Sequence, residues 1–233
     1  MTEPNEATAP ERSLFVQYLF FKVDAAWRRL PAAQREDGRN EFVEVLEAAG
    51  SDLRAYAYST LGLKSFTEFM LWCQCGSPNV AQEVLSKLLL TGFGQYCAIS
   101  YSLFGLTRPS IYTKRHSTQE QALYERTRLR YLIVYPFVKS TDWYLLSREA
   151  RQGFMNEHMR VGHDFEDVRQ VLLYSTGLDD QEFVVAYETD QLERQQDLVI
   201  ALRATEARRS TVRDTPIFTC IHRSLRDALA LNG

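Results

Sequence analysis

The chain carries the same segment twice. Trp27, Leu30, Arg35, Asn40, Glu41 and the run Tyr58-Ser59-Thr60 recur 116 residues later as Trp143, Leu146, Arg151, Asn156, Glu157 and Tyr174-Ser175-Thr176. The match is gapless over this span. A closing Glu-Phe pair, at 68 and 69 and again at 182 and 183, is displaced by two residues in the intervening turn. An internal repeat constrains a fold more than local propensity does, because both copies must adopt one supersecondary unit. It also makes the chain its own comparison. Packing residues have to recur, whereas a residue that changes chemistry between copies marks a task of one half. Phe42 in the first copy is His158 in the second, which makes His158 the leading candidate for a ligand or catalytic side chain.

Hydrophobic periodicity gives both copies the same order of elements. The first reads as a strand at 14–23, a helix at 32–49, strands at 53–59 and 67–75, a helix at 80–90 and a strand at 97–104. The second repeats it with a strand at 131–139, a helix at 147–160, strands at 168–174 and 182–188, a helix at 192–207 and a strand at 217–221. The order βαββαβ is the ferredoxin-like arrangement of the α+β class, an antiparallel sheet with both helices on one face. Two such sheets can pack together or close into a barrel. The expected organisation is a flexible tail at 1–12, a first module at 13–106, a linker at 107–129 and a second module at 130–233.

At 233 residues and 45% hydrophobic content, the chain can bury one large core or two of about 100 residues each. A formal charge of −3 gives no global reason to expect nucleic acid. No apolar run of about 18 residues and no basic-then-apolar start is present, so no membrane span is expected and the cytoplasm is the default location. Cys73 and Cys75 alternate along one strand and share a face; with Cys97 and Cys220 they read as buried thiols, not as a zinc site or disulfides.

The four histidines, His116, His158, His163 and His222, form no zinc signature. A lone histidine near a helix end is ordinarily a surface residue; the contrast with Phe42 sets His158 apart. Bound to iron it would act as the single protein ligand, the arrangement of a haem's proximal imidazole. Tyr135, Phe137 and Lys139 alternate onto one strand face, so a phenol and an ammonium face the same space. By residue chemistry alone this is a strand end whose lysine reaches solvent. Arg203 and Arg208 on the last long helix, with Arg108, Lys114 and Arg115 in the linker, offer cations for carboxylates.

These residues carry a resemblance. YPFVK at 135–139, MNEH at 155–158 and STGLDDQEF at 175–183, together with TGFGQY at 91–96 and LTRPSIY at 106–112, resemble motifs of the chlorite dismutase and coproheme decarboxylase family along nearly the whole chain. The resemblance implies a tandem ferredoxin-like α+β barrel in which only the second module binds haem. His158 then stands at the proximal ligand, with Tyr112, Lys139 and Arg203 at the porphyrin's edge. It also implies a homopentamer.

Single positions separate the branches. Chlorite dismutases resemble one another in a distal Arg; counting back from Gly177 puts Gln170 there, whereas counting forward from His158 gives Val171, and Arg169 lies next door. Adjacent strand residues face opposite sides, so only one of Arg169 and Gln170 reaches the site. Tyr135 and Lys139 match the pair that decarboxylases place beside the reactive propionate, and Arg203 matches a propionate-binding Arg. Ala207 stands where chlorite dismutases resemble each other in offering a Glu to the proximal imidazole. Arg208 departs from a Ser of some decarboxylases. The expected activity is peroxide-dependent decarboxylation of iron-coproporphyrin III (coproheme) to haem b in haem biosynthesis, with a Tyr135 radical, Lys139 at the propionate and Gln170 as distal donor. The alternatives are a chlorite dismutase and a haem-binding barrel with weak peroxidase activity.

Overall fold

The computed structural model describes residues 13–112, 123 and 125–233. The tail expected at 1–12 and the linker residues Lys114, Arg115 and His116 lie outside them. The elements are β1 (Phe15–Val23), α1 (Ala32–Ala48), β2 (Leu53–Ser59), β3 (Phe69–Cys75), α2 (Pro78–Leu90) and β4 (Cys97–Leu106), then β5 (Tyr131–Lys139), α3 (Thr141–Leu145), α4 (Arg148–Gly162), β6 (Arg169–Tyr174), β7 (Phe183–Thr189), α5 (Leu192–Arg203), β8 (Thr211–Arg213), β9 (Phe218–Arg223) and α6 (Leu225–Ala230). Among the described residues no helix is long and apolar enough to cross a membrane.

Both copies order their strands alike, β4-β1-β3-β2 and β9-β5-β7-β6. Each copy's β-sheet has two free edges, and each edge is satisfied by the other copy: β2 pairs with β9 and β4 with β6. With β5 also hydrogen-bonded to β7, the strands close into an α+β barrel, and β8 adds a short pairing at the end of β5. Closure removes the exposed edges that invite association. The interior is filled, as expected at this strand number, by Val16, Tyr18, Phe20, Tyr58, Met70, Trp72, Val134, Leu173, Val184 and Phe218 among others.

The repeat is visible bond by bond. The Glu68 carboxylate accepts the Val23 N–H at 2.8 Å, and Glu182 accepts the Lys139 N–H at 2.7 Å. The backbone N–H of Glu68 donates to the Phe21 carbonyl, and that of Glu182 to the Phe137 carbonyl. Gly62 and Gly177 both take φ near +76° in the turns whose lengths differ, a conformation that suits glycine.

The two halves part company on the outer face. α1 and α2 seal the first sheet over Leu19, Phe21, Trp27, Phe42, Phe69 and Phe93. Gly38 of α1 permits the approach, since a Cβ there would lie 2.8 Å from backbone atoms of Gly92 and Phe93. The position 116 residues later is Phe154 in α4, and α4 buries none of its side chains fully. The second outer face is thus loosely roofed.

Two expectations are corrected. The helix read at 192–207 ends at Arg203, because the Thr205 hydroxyl donates to the Leu202 carbonyl at 2.7 Å and competes with helical continuation. Ala207 and Arg208 consequently sit in a separate 3₁₀ turn, Glu206–Ser210. In addition α3, β8 and α6, of five, three and six residues, were too short for periodicity to reveal.

A buried charge pair ties linker to barrel. Arg128 reaches Glu188 of β7 at 3.1 Å, both side chains about 1% exposed, and the Tyr58 hydroxyl contacts the same carboxylate at 3.4 Å. Burial outweighs Arg128 and pushes the Glu188 carboxyl up to about 7 from 4.5. A carboxyl whose pKa rises on folding contributes stability that is complete below its unfolded pKa and is lost as pH rises through the folded one. The melting temperature of the wild type relative to Glu188→Gln should therefore fall between pH 5 and pH 8. A difference that stays constant across that range in a thermal-melt series would contradict it.

Candidate functional site

The repeat shows what replaced the first half's apolar packing. At the 116-residue offset Leu19, Val23 and Phe42 correspond to Tyr135, Lys139 and His158, and at the 114-residue offset that follows the shortened turn Cys73 corresponds to Tyr187. The four first-half residues are buried in the helix-side core. Their counterparts bring two phenols, an ammonium and an imidazole to the same places beneath α4 and α5. Such a substitution of polar groups into a packing frame costs stability unless the groups serve a purpose.

Sheet register sets the row of side chains. On β6–β7 Gln170 lies opposite Tyr187, and on β7–β5 Tyr187 lies opposite Ile133, two residues from Tyr135 on the same face. Gln170, Tyr187 and Tyr135 thus line one face across three strands. The rings of Tyr135 and Tyr187 are 6.2 Å apart, tilted by 35°, and each phenol bears on the other's titration. Burial pushes Tyr187 up to about 12 and holds Tyr135 well above the usual tyrosine value, so both keep their hydrogens at neutral pH.

Arg169 takes the other side. Val171 and Leu173, in step with it along β6, pack into the barrel interior, and its guanidinium pairs with Glu125 at 2.9 Å and donates to the Thr127 carbonyl at 2.9 Å. Gln170, opposite Tyr187, faces the helices.

His158 is half-buried in α4, and its Nδ1 is shielded from solvent without a hydrogen-bond partner. Burial first, and then Lys139, pull its pKa down to about 4 against the opposing pull of Glu157. The imidazole is therefore neutral at physiological pH, the form that ligates metals. Among the described residues no three His, Cys, Asp or Glu side chains converge as a metal cage. His163 falls in the exposed turn after α4.

Lys139 goes elsewhere than onto the Tyr135 phenol. Its Nζ donates to the Ala207 carbonyl at 3.0 Å and lies 4.4 Å over the Trp143 ring. Burial and Arg208 lower its pKa to about 8, with Glu182 opposing. Tyr112 is half-buried beside Trp143, ring centroids 6.5 Å apart, and its carbonyl accepts from Gln152 at 3.2 Å. Arg203, at the end of α5, bonds Asp214 at 3.3 Å, and both ends of that pair act on Tyr135. Tyr187 and Asp214 escaped the sequence reading. Applying the changed offset beyond the turn would have exposed Tyr187 as the counterpart of Cys73.

A family model described as chlorite dismutase matches residues 35–223. A coproheme decarboxylase of Mycolicibacterium smegmatis is 32% identical over 219 residues, 92% of this chain and 94% of that protein. A chlorite dismutase of Ideonella dechloratans is 27% identical over 196 residues, 81% of this chain and 69% of that protein. The structure of chlorite dismutase from Candidatus Nitrospira defluvii in complex with imidazole superposes with a TM-score of 0.85 at 25% identity, over 94% of each chain.

The polar replacement can be reversed. His158→Phe restores the first half's residue and removes an unsatisfied buried nitrogen, so the ligand-free variant should gain about 1 kcal/mol in urea unfolding at pH 7. A loss of comparable size would show that the imidazole already stabilises the fold.

Proposed function

The chain belongs to the chlorite dismutase family, and on that premise we propose that it decarboxylates iron-coproporphyrin III oxidatively to haem b with hydrogen peroxide. One observation carries the choice between the family's chemistries. The outer face of the second half presents a neutral amide, Gln170, and a protonated phenol, Tyr135, while the neighbouring guanidinium of Arg169 is engaged by Glu125 on the barrel side. A phenol suits hydrogen-atom transfer; a distal guanidinium would suit an oxyanion.

The residues fit an iron porphyrin. The neutral His158 imidazole is a single nitrogen donor of the kind that holds haem iron. Its buried Nδ1 has no carboxylate acceptor, and Ala207 supplies no side-chain acceptor of its own, so the imidazole stays a modest donor to iron. Arg203 is proposed to receive a propionate, with Lys139 and Tyr112 as further contacts on the α3 and α4 side. When bound, the ferric porphyrin supplies the iron that reduces peroxide and the propionates that are consumed.

Tyr135 is proposed as the hydrogen relay. Losing an electron and a proton together, its phenol becomes a phenoxyl radical that takes a hydrogen atom from a propionate and so recovers its O–H. Tyr187, its ring 6.2 Å from that of Tyr135, is proposed to orient the phenol, and Gln170 to donate on the distal side without the charge of an arginine. Each propionate loses a hydrogen and its carboxylate as carbon dioxide, leaving a vinyl group; the two electrons reduce one peroxide, which with two protons forms water.

Two predictions separate binding from chemistry. Tyr135→Phe should bind ferric coproporphyrin III in an absorbance titration about as well as the wild type yet yield no haem b with peroxide, and full turnover would refute the relay. His158→Ala should lose the five-coordinate ferric spectrum, whereas His163→Ala keeps it.

The wild type should release little oxygen from chlorite at an oxygen electrode, and Gln170→Arg should release more. Rapid release by the wild type, abolished by Arg169→Ala alone, would establish the chlorite dismutase reading instead.

A further inference from the structure

Arg203 and Arg208 come from separate elements, the end of α5 and the 3₁₀ turn that follows, yet both address one oxygen. Arg203 Nη2 lies 3.3 Å and Arg208 Nη1 2.6 Å from Asp214 Oδ2. Two guanidiniums converging on a single oxygen form a carboxylate receptor. Here a carboxylate of the chain itself fills it. The Asp214 side chain is only 18% exposed against 50% and 37% for the arginines, so it sits on the inner side of the pair, where Tyr135 senses both Asp214 and Arg203.

The backbone that carries Asp214 is anchored to the strand that carries Tyr135. β8 pairs Val138 with Arg213 and Lys139 with Thr211, the Ser140 N–H donates to the Ser210 carbonyl at 2.8 Å, and Arg213 donates to the Asp180 carbonyl at 3.3 Å. Asp214 is therefore presented by a fixed frame. Within the triad two positive groups face one negative group, leaving one surplus positive charge.

We propose that Asp214 is a built-in carboxylate that occupies the two-arginine receptor and competes with the carboxylate of any incoming porphyrin. The inference rests on the proposed function and deepens it. The competition falls on every carboxylate that enters the receptor, so a receptor held partly closed by its own carboxylate weakens the hold on the propionates the product keeps and favours its release. Without Asp214 the arginines would hold any propionate, including those the product keeps.

Absorbance titrations of ferric coproporphyrin III and of haem b into the full chain test this. Asp214→Asn keeps the side chain's shape and removes its charge, and it should lower the dissociation constant for coproporphyrin about tenfold, the scale of one charge-assisted bond. It should also tighten haem b and slow its transfer to an apo-haem acceptor, while Asp214→Glu, which keeps the charge, stays near the wild type. Arg208→Gln reads the same competition with the opposite sign, weakening coproporphyrin about tenfold, and decides the matter if Asp214→Asn fails to fold. Unchanged or weaker binding by a folded Asp214→Asn, or wild-type binding by Arg208→Gln, overturns the proposal while leaving the functional reading intact. A wild type that binds no ferric coproporphyrin overturns both.

Discussion

A barrel built from two copies of one unit has a single interior, and closure of that interior is the constraint on which everything else depends. β2 with β9 and β4 with β6 are the seams. A slip of one residue at either seam would turn every side chain of a strand from the filled interior to the helix side. The inward set therefore has to be apolar and large in both copies, from Tyr18, Phe20 and Trp72 to Val184 and Phe218. Function has to be written on the outer face. There the first copy is packed as a conventional core under α1, and the second exchanges that packing for Tyr135, Lys139, His158 and Tyr187.

The physical chemistry of that exchange is consistent. Burial keeps the phenols protonated and the imidazole neutral beneath α4 and α5, while the fixed cations Arg203 and Arg208 gather at the rim around Asp214. Neutral groups at the centre and guanidiniums at the edge match a large apolar ring with acidic substituents. Lys139, with its pKa drawn down to about 8 and its ammonium on the Ala207 carbonyl, joins the two regions.

Much of this was legible in the sequence, for reasons that also explain what was not. The repeat gave both halves one order of elements and set His158 against Phe42, because packing residues must recur and His158 does not. The choice between Arg169 and Gln170 was not legible, since both faces of β6 are covered and alternation alone cannot say which side holds the barrel; Val171 and Leu173 decide it only once their partners are known. Tyr187 was hidden by the change of offset after a shortened turn. Lys139's destination was hidden because the Thr205 back-bond ends the helix early and moves Ala207, whose carbonyl the lysine meets, into a separate turn. Asp214 was hidden because its partners come from different elements.

In the proposed function the second half's outer face performs oxidative decarboxylation of a bound iron porphyrin. The most direct measurement is mass spectrometry of ferric coproporphyrin III incubated with the wild-type protein and stoichiometric additions of hydrogen peroxide. Two successive losses are expected, each of one carbon dioxide with two hydrogens, ending at haem b. Intact coproporphyrin after peroxide addition, or bleaching of the macrocycle without either product, would contradict it.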